Sequence, residues 1–259
     1  MNIVVCVKQV PDAKDVRLDP QTNTLTREGV ESIMNPYDRH ALEEAVRIKE
    51  HSGGKVVVVS MGPPQAQQVL REAIACGADE ALLVSDRAFA GSDTWATSYT
   101  LAKAMTTIGD VDLVLCGKQA IDGDTAQVGP GIACRLNMPF VTCVQKTREV
   151  KSGYIIVERM MDDGFDVVKV PLPALITVVK DINEPRVASL KGKMKAKKIN
   201  IPVVTADDIG AEPHRLGLAG SPTKVARVFS PEARGDRQIF SGTVAEQVHD
   251  LVEQLKAHL

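Results

Sequence analysis

The sequence has no excess of positive charge, and this argues against two classes of partner. Its 259 residues contain 31 Lys and Arg against 33 Asp and Glu, so the formal net charge is −2. Proteins that bind nucleic acid or an anionic membrane through a basic surface need a positive field, which this composition does not supply. We therefore do not expect nucleic acid or a membrane surface as a partner.

Long apolar runs and paired cysteine motifs are also missing. No stretch approaches the ~18 apolar residues of a spanning helix, and residues 1–10 lack the pattern of a signal peptide, so a cytoplasmic location is expected. The five cysteines include no CxxC pair and lie in or beside apolar runs. They are expected to be buried free thiols in a reducing compartment, which argues against a zinc site or a disulfide framework.

What is present is an alternation of short apolar runs with helical patterns. A helix is predicted to begin at Asn35, a good N-cap followed by Pro36. Further helices are predicted within 64–80, 91–109 and 127–136. The predicted strands are 2–10, 55–63, 80–86, 111–117 and 139–145.

This order predicts a doubly wound α/β fold with a mostly parallel sheet, similar to a Rossmann fold but without GxGxxG. Antiparallel strands are expected at its edge after residue 146. We predict a nucleotide-binding domain over residues 1–181. Residues 182–259 are predicted to form a partner-recognition loop and a C-terminal arm that needs a partner to bury its apolar groups.

In such a sheet, ligands bind beyond the carboxyl ends of the strands where the strand order reverses. With the order 3-2-1-4-5, the first and fourth strands meet there. The segment that follows the fourth strand is GKQAIDGDTAQVGPGIA, at 117–133. Its glycines permit close approach to a ligand, and the following helix start suits a phosphate. Its polar side chains suit sugar hydroxyls and a purine edge, so we predict a nucleotide that is held and not cleaved.

Other interpretations of the same residues remain open. Asp122 and Asp124 could bind Mg²⁺, although no further ligand motif accompanies them. Cys116 is better explained as a packed thiol than as a nucleophile, because no base is placed by the sequence. Lys8 and Lys118 could contact phosphate or be solvated surface charges.

Six segments together resemble the β (small) subunit of electron transfer flavoproteins over nearly the whole chain. They are VCVKQVPD (5–12), MNPYDRHALEEAVRIKE (34–50), VSMGP (59–63), GADEALLVSD (77–86), LCGKQAIDGDTAQVGP (115–130) and DINEPRVASLKGKMKAKK (181–198). The resemblance implies a heterodimer with a flavin-carrying α subunit and an adenine nucleotide in the predicted crevice. The implied contacts are Cys6, Asn35, Pro36, Tyr37, Asp38, Met61, Lys118, Gln119, Ala120, Ile121, Asp122, Gly123, Asp124, Thr125, Ala126, Gln127, Val128 and Gly129.

A further stretch, VSDRAFAGSDTWATS at 84–98, is similar to electron-bifurcating members, in which the β subunit binds FAD instead of AMP. Hydroxyl and amide groups at this helix start can hold a diphosphate, and the residues implied are Ser92, Asp93, Thr94 and Thr97. The simpler alternative is an ordinary N-cap with solvent-facing threonines. Trp95 departs from the smaller aliphatic residue expected there and could pack against the sheet.

The resemblance implies electron carriage without a catalytic residue or metal in this chain. A bifurcating member would take a hydride from NADH and deliver electrons to ferredoxin or flavodoxin and to an acyl-CoA dehydrogenase or quinone reductase. Leu190 is implied as the anchor in the dehydrogenase. The alternative is a regulatory module that senses an adenine nucleotide without redox work.

Overall fold

The computed structural model describes residues 1–12, 17–18, 25–26, 32–226 and 238–257. Its strands are β1 (Asn2–Cys6), β2 (Gln9–Pro11), β3 (Arg17–Leu18), β4 (Leu25–Thr26), β5 (Ser32–Met34), β6 (Lys55–Met61), β7 (Glu80–Val84), β8 (Leu113–Gly117), β9 (Phe140–Lys151), β10 (Tyr154–Met161), β11 (Gly164–Pro171), β12 (Ala174–Val178) and β13 (Val203–Val204). Its α-helices are α1 (Pro36–Ser52), α2 (Gln67–Ala75), α3 (Thr94–Thr106), α4 (Val128–Leu136), α5 (Leu190–Lys198) and α6 (Val244–Lys256).

Nine of these strands form one sheet in the order β11-β10-β9-β12-β8-β1-β6-β7-β13. β1 lies parallel to β6 on one side and to β8 on the other. The chain moves outward from β1 to β6 and β7, and then returns to place β8 on the opposite side of β1. The strand order therefore reverses between β1 and β8, as predicted for the mostly parallel doubly wound sheet.

The predicted order was wrong at its fifth position. β12 lies between β8 and β9 and is parallel to both, so the strand that begins at Phe140 is displaced outward by one place. All five residues of β12 are buried, whereas β9 has a mixed pattern of buried and exposed residues. A strand buried on both faces belongs inside a parallel sheet, and a mixed strand suits its flank. β10 and β11 supply the predicted antiparallel edge.

Helices cover both faces of this sheet. Apolar residues of α1 and α2 pack with Val56 and Val58 of β6 on one face, and those of α3 and α4 pack with Val57 and Val59 on the other. Successive residues of one strand thus enter different cores, which explains why the strands have apolar runs without alternation. None of the described helices is both long and apolar enough to cross a membrane.

The first apolar run is divided in the structure. β1 ends at Cys6, and β2 pairs with β5 in a separate two-stranded sheet. The expectation of buried thiols holds only for Cys116. Cys134 is exposed, and the other three are intermediate. β3 and β4 pair with each other in another two-stranded sheet.

The chain divides into two compact units. The first contains Met1–Arg17 and Thr26–Ala226, and the second contains Leu18–Leu25 and Arg227–Leu259. The boundary expected after residue 181 lies inside the first unit, because α5 packs against α2. In the second unit, α6 begins with a capping box between Thr243 and Glu246 and exposes a row of apolar side chains.

Candidate functional site

The floor of the predicted crevice is formed by the ends of β1 and β8. Cys6 and Cys116 are register partners on these two strands. A hydrogen bond with Cys6 and burial raise the pKa of the Cys116 thiol, which keeps it protonated. A protonated buried thiol is a poor nucleophile, so this environment supports the interpretation of Cys116 as a packed residue.

Asp38, in the first turn of α1, joins both strand ends. Its Oδ2 accepts a hydrogen bond from the backbone amide of Lys8 at 2.8 Å, and further hydrogen bonds come from the Asn35 side chain and the Gly117 amide. Gly117 has no room for a side chain, because an added Cβ would overlap Asp38 Oδ1 and lie 2.6 Å from the Cβ of Tyr37. Burial raises the pKa of Asp38 to about 7, although these hydrogen bonds favour the charged form.

Asn35 holds the loop that follows β8. It occupies the predicted N-cap position of α1, but its side chain makes no capping hydrogen bond. Instead, Nδ2 donates to the Gln119 carbonyl at 2.9 Å and Oδ1 accepts from the Ile121 amide at 3.2 Å. The side chain is 1% exposed, so these two bonds satisfy a buried amide. The start of α1 is thereby fastened to the loop.

The loop itself presents polar groups to solvent. Residues 121–125 are exposed, and Asp124 and Ala126 adopt left-handed φ values of 52° and 54°. Such values are uncommon for residues other than glycine and occur often at ligand sites. Asp122 pairs with the Lys8 ammonium at 2.7 Å, and Asp124 accepts a hydrogen bond from the side-chain amide of Gln119. The two carboxylates considered for Mg²⁺ therefore each have a partner within the protein.

The start of α4 has no side-chain cap from its own N-cap residue. Gln127 is its N-cap residue and makes no side-chain capping bond, so the first amides of α4 are not taken by that side chain. Gly129 is buried, and an added Cβ would lie 2.6 Å from Thr177 of β12, so glycine permits the helix to pack close to the sheet. Thr94 donates to Gln127 Oε1 at 3.1 Å and links α3 to this position.

The start of α3 differs, because its amides already have a partner. Asp93 Oδ1 accepts from the amides of Trp95 and Ala96, and Oδ2 accepts from the amide and hydroxyl of Thr223. Burial raises the pKa of Asp93, but these hydrogen bonds outweigh it and hold the pKa below its ordinary value. The ionised carboxylate of Asp93 thus accepts hydrogen bonds from the backbone amides that were predicted to bind a diphosphate.

The neighbours of Asp93 have mixed roles. Ser92 donates to the Phe89 carbonyl at 2.8 Å, and Thr97 is partly exposed. Trp95 does not pack against the sheet, because its side chain is 57% exposed and Arg135 lies 4.3 Å from the ring centroid. Arg135 also donates to the Ser98 hydroxyl and the Trp95 carbonyl. Of this predicted group, Thr94 and Thr97 are both partly exposed, and the Thr94 hydroxyl already donates to Gln127.

The remaining predicted contacts lie around the same floor. Cys6, Pro36, Tyr37, Met61, Lys118 and Ala120 are all partly exposed. Met61 ends β6 next to β1, and Lys180 lies 4.9 Å from the ring centroid of Tyr37. The structure therefore brings together the end of β1, the start of α1 and the loop through hydrogen bonds of Asn35 and Asp38. Sequence reasoning missed the roles of Lys8 and Gly117 as donors to Asp38, because nothing in a linear sequence pairs them with a helix start.

The predicted recognition segment is anchored on the outer side of α1. Asn183 donates from its amide to Glu44 Oε2 and to the His40 carbonyl. Arg186 binds Glu43 at 2.8 Å and Glu50 at 2.6 Å. Burial raises the pKa of Glu43, but the hydrogen bonds from Arg186 and Arg47 outweigh it and lower the pKa. The polar residues of this segment thus fix its backbone.

The lysine-rich part that follows is a helix, not a free arm. Ser189 caps α5, and Gly192 packs so closely on α2 that an added Cβ would overlap the Ala75 carbonyl. Arg71 of α2 also donates to the carbonyl of Ala196 at 2.6 Å. Leu190, the first residue of α5, is 78% exposed. A fixed helix therefore presents the predicted anchor to solvent. A cavity of about 340 Å³ lies between residues 185–188 of this segment and α1 and α2.

Comparison with known families and proteins agrees with this arrangement. The model of the electron transfer flavoprotein domain matches residues 22–209, which include the start of α1, the loop and the recognition segment. The chain is 52% identical over 258 residues to the electron transfer flavoprotein subunit beta of Thermoanaerobacterium thermosaccharolyticum, covering 99% of this chain and 98% of that protein.

Two further relatives bear different names. One is the caffeyl-CoA reductase–Etf complex subunit CarD of Acetobacterium woodii, 52% identical over 99% of this chain and 98% of that protein. The other is protein FixA of Sinorhizobium fredii, 46% identical over 98% of this chain and 92% of that protein. With a family match over most of the chain and full-length relatives near 50% identity, the chain belongs to the electron transfer flavoprotein family, among its β subunits.

Proposed function

We propose that this chain pairs with an electron transfer flavoprotein α subunit and holds an adenine nucleotide in the crevice between β1 and β8. We further propose that the nucleotide is FAD and the heterodimer is of the bifurcating type, with AMP as the alternative ligand. The observation that carries the proposal is the joint fastening of the loop and both strand ends by Asn35 and Asp38.

The residues present fit a nucleotide of this kind. The first amides of α4 and the close approach at Gly129 suit a phosphate group, and the exposed loop supplies polar side chains for hydroxyls. Asp93 places a negative charge at the start of α3, so a diphosphate is expected to rely on α4 and on the hydroxyls of Thr94 and Thr97. When bound, FAD supplies hydride and single-electron chemistry. The chain then acts by positioning the cofactor and excluding water from it.

The proposed partners follow from the family and from one relative. The name of the Acetobacterium woodii protein places it in a complex with a caffeyl-CoA reductase, which supports an acyl-CoA dehydrogenase as an electron acceptor here. A quinone reductase is the proposed alternative acceptor. NADH is the proposed donor, and ferredoxin or flavodoxin the low-potential acceptor. Leu190 on α5 is the proposed anchor for the dehydrogenase.

Counting cofactors tests the proposal directly. The chain is coexpressed with its α subunit, and nucleotides extracted from the purified heterodimer are quantified by chromatography. Two FAD per heterodimer are expected. One FAD and one AMP would reject the bifurcating type but keep the carrier function, whereas a heterodimer with AMP and no flavin would favour a regulatory module.

A further inference from the structure

Asp38 occupies an unusual position for a carboxyl group. Its side chain is almost fully buried, at 6% exposure, and lies among neutral hydrogen-bond donors of three elements. These donors are the Lys8 amide after β1, the Gly117 amide at the end of β8 and the side chain of Asn35 before α1. The three segments that border the nucleotide crevice therefore meet at one carboxyl group.

The cation nearest to this group is engaged elsewhere. The ammonium of Lys8 binds both carboxylate oxygens of Asp122, at 2.7 and 2.8 Å. In the described part of the chain, other titratable groups that face this region are the thiols of Cys6 and Cys116, the phenol of Tyr37 and, beyond its ring, the ammonium of Lys180. Among the residues that the structure describes, Asp38 is thus held by amide hydrogen bonds and not by an ion pair, although the charge of Lys8 also favours its ionised form.

We propose that Asp38 is a proton-sensitive positioning residue, whose carboxylate holds the walls of the nucleotide crevice together and whose protonation loosens them. The inference rests on the proposed function, because the crevice must hold a nucleotide for the loosening to matter. The resemblance implied Asp38 as a nucleotide contact, but at 6% exposure it is proposed here to act without touching the nucleotide. It acts through the backbone of Lys8 and Gly117.

The physical reason is the number of acceptors. A carboxylate only accepts hydrogen bonds, whereas a protonated carboxyl turns one oxygen into a donor. That oxygen would then face an amide N–H, which is also a donor, and a buried amide would lose its partner. Gly117 packs against Asp38 without room for a side chain, so little adjustment is available. Burial opposes these hydrogen bonds, because it favours the neutral form of Asp38 and raises its pKa to about 7. Protonation of Asp38 therefore occurs near neutral pH.

The experiment measures release of nucleotide from the intact heterodimer between pH 6 and pH 8.5. Labelled AMP and FAD are loaded at pH 8, and their dissociation is followed after dilution. We expect release at least threefold faster at pH 6 than at pH 8. Asp38→Asn should release nucleotide quickly at every pH, because its amide group keeps a donor facing an amide N–H. Asp112→Asn is the matched control, since Asp112 accepts from the Asn2 amide at 2.7 Å at the opposite end of the same strand pair. It should keep the parent profile.

Each result supports or overturns the inference. Release that does not depend on pH, or that is slower at pH 6, overturns it. The same pH profile in Asp38→Asn as in the parent also overturns it. If Asp38→Asn does not fold, the parent profile and Gly117→Ala still test the inference, because the new Cβ displaces Asp38 and should abolish the pH dependence. Failure of the parent heterodimer to bind either AMP or FAD at pH 8 would instead reject the proposed function.

Discussion

Helix α1 carries two buried carboxyl groups in very different surroundings. Asp38 is 6% exposed and receives hydrogen bonds from neutral amides, and burial raises its pKa to about 7. Glu43 is 4% exposed and contacts the guanidinium groups of Arg186 and Arg47, which hold its pKa below the ordinary value despite burial. Amides can position a carboxyl group without stabilising its charge as strongly as a guanidinium does. The crevice is thus expected to respond to protons near neutral pH, and the recognition segment is not.

The largest effect is expected from Arg186→Ala. The substitution leaves the buried Glu43 with only the exposed Arg47 as a cation, and loss of a hydrogen bond between charged groups of this kind costs about 1.5–3 kcal/mol. Urea unfolding of the heterodimer at fixed concentration measures this loss. The double variant Arg186→Ala, Glu43→Gln should recover most of the lost stability. That recovery would confirm that the unpaired charge is the cause. A loss below about 1 kcal/mol would contradict the comparison.

Asn35→Asp tests the crevice side of the comparison. Aspartate is as good an N-cap residue as asparagine, so α1 should be preserved. The donor to the Gln119 carbonyl is lost, however, and a carboxylate oxygen then faces that carbonyl. We expect a loss of about 1–3 kcal/mol in the local stability of the loop. Amide hydrogen exchange at Ile121 and Gly123 should accelerate, with exchange in α2 as the internal control. Unchanged exchange at these two amides would show that Asn35 does not fasten the loop.

The two carboxyl groups should also change stability with pH in opposite directions. The pKa of Asp38 is raised from 3.8 to about 7 in the folded protein, so its contribution is present at low pH and is lost as pH rises through about 7. For nucleotide-free heterodimer, we expect an unfolding free energy about 1 kcal/mol higher at pH 6 than at pH 8 from this group. Asp38→Asn should remove that difference.

Glu43 has a lowered pKa, so its contribution is present above 4.5 and is lost only as pH falls below that value. Glu43→Gln should therefore leave the change between pH 6 and pH 8 intact. Acidification is expected to raise global stability through Asp38 while it speeds nucleotide release, and a purely structural role for Asp38 would not produce these opposite effects.

The smallest effect on stability is expected from Leu190→Ala. The side chain is 78% exposed, so its loss should change the free energy of unfolding by less than about 0.5 kcal/mol. As an anchor in a partner pocket it can contribute about 2 kcal/mol, and transfer of electrons to the dehydrogenase should slow accordingly. Stopped-flow reduction of the dehydrogenase measures this, with flavin content and reduction of an artificial acceptor as controls. If Leu190→Ala reduces the dehydrogenase at the parent rate at all dehydrogenase concentrations, Leu190 is not part of the docking surface.

Much of the fold was predictable because it is encoded locally. Periodic apolar residues, the Asn35–Pro36 start and the glycine-bounded runs predicted α1, the parallel strands and the loop after β8. The position of β12 was not predictable in this way. Its run PLPALITVV follows two antiparallel strands, and its parallel place between β8 and β9 depends on which strand is buried on both faces.

The sequence by itself determined which segments become strands and helices, where α1 begins and which loop follows β8. Only the tertiary structure decided what the polar side chains at those positions do. Asn35 was expected to cap α1, but its side chain donates to a carbonyl 84 residues away. Asp93 accepts hydrogen bonds from the backbone amides that were expected to bind a ligand. Local patterns specify backbone conformation through nearest neighbours, but a buried polar group bonds to whichever donor or acceptor the fold brings beside it.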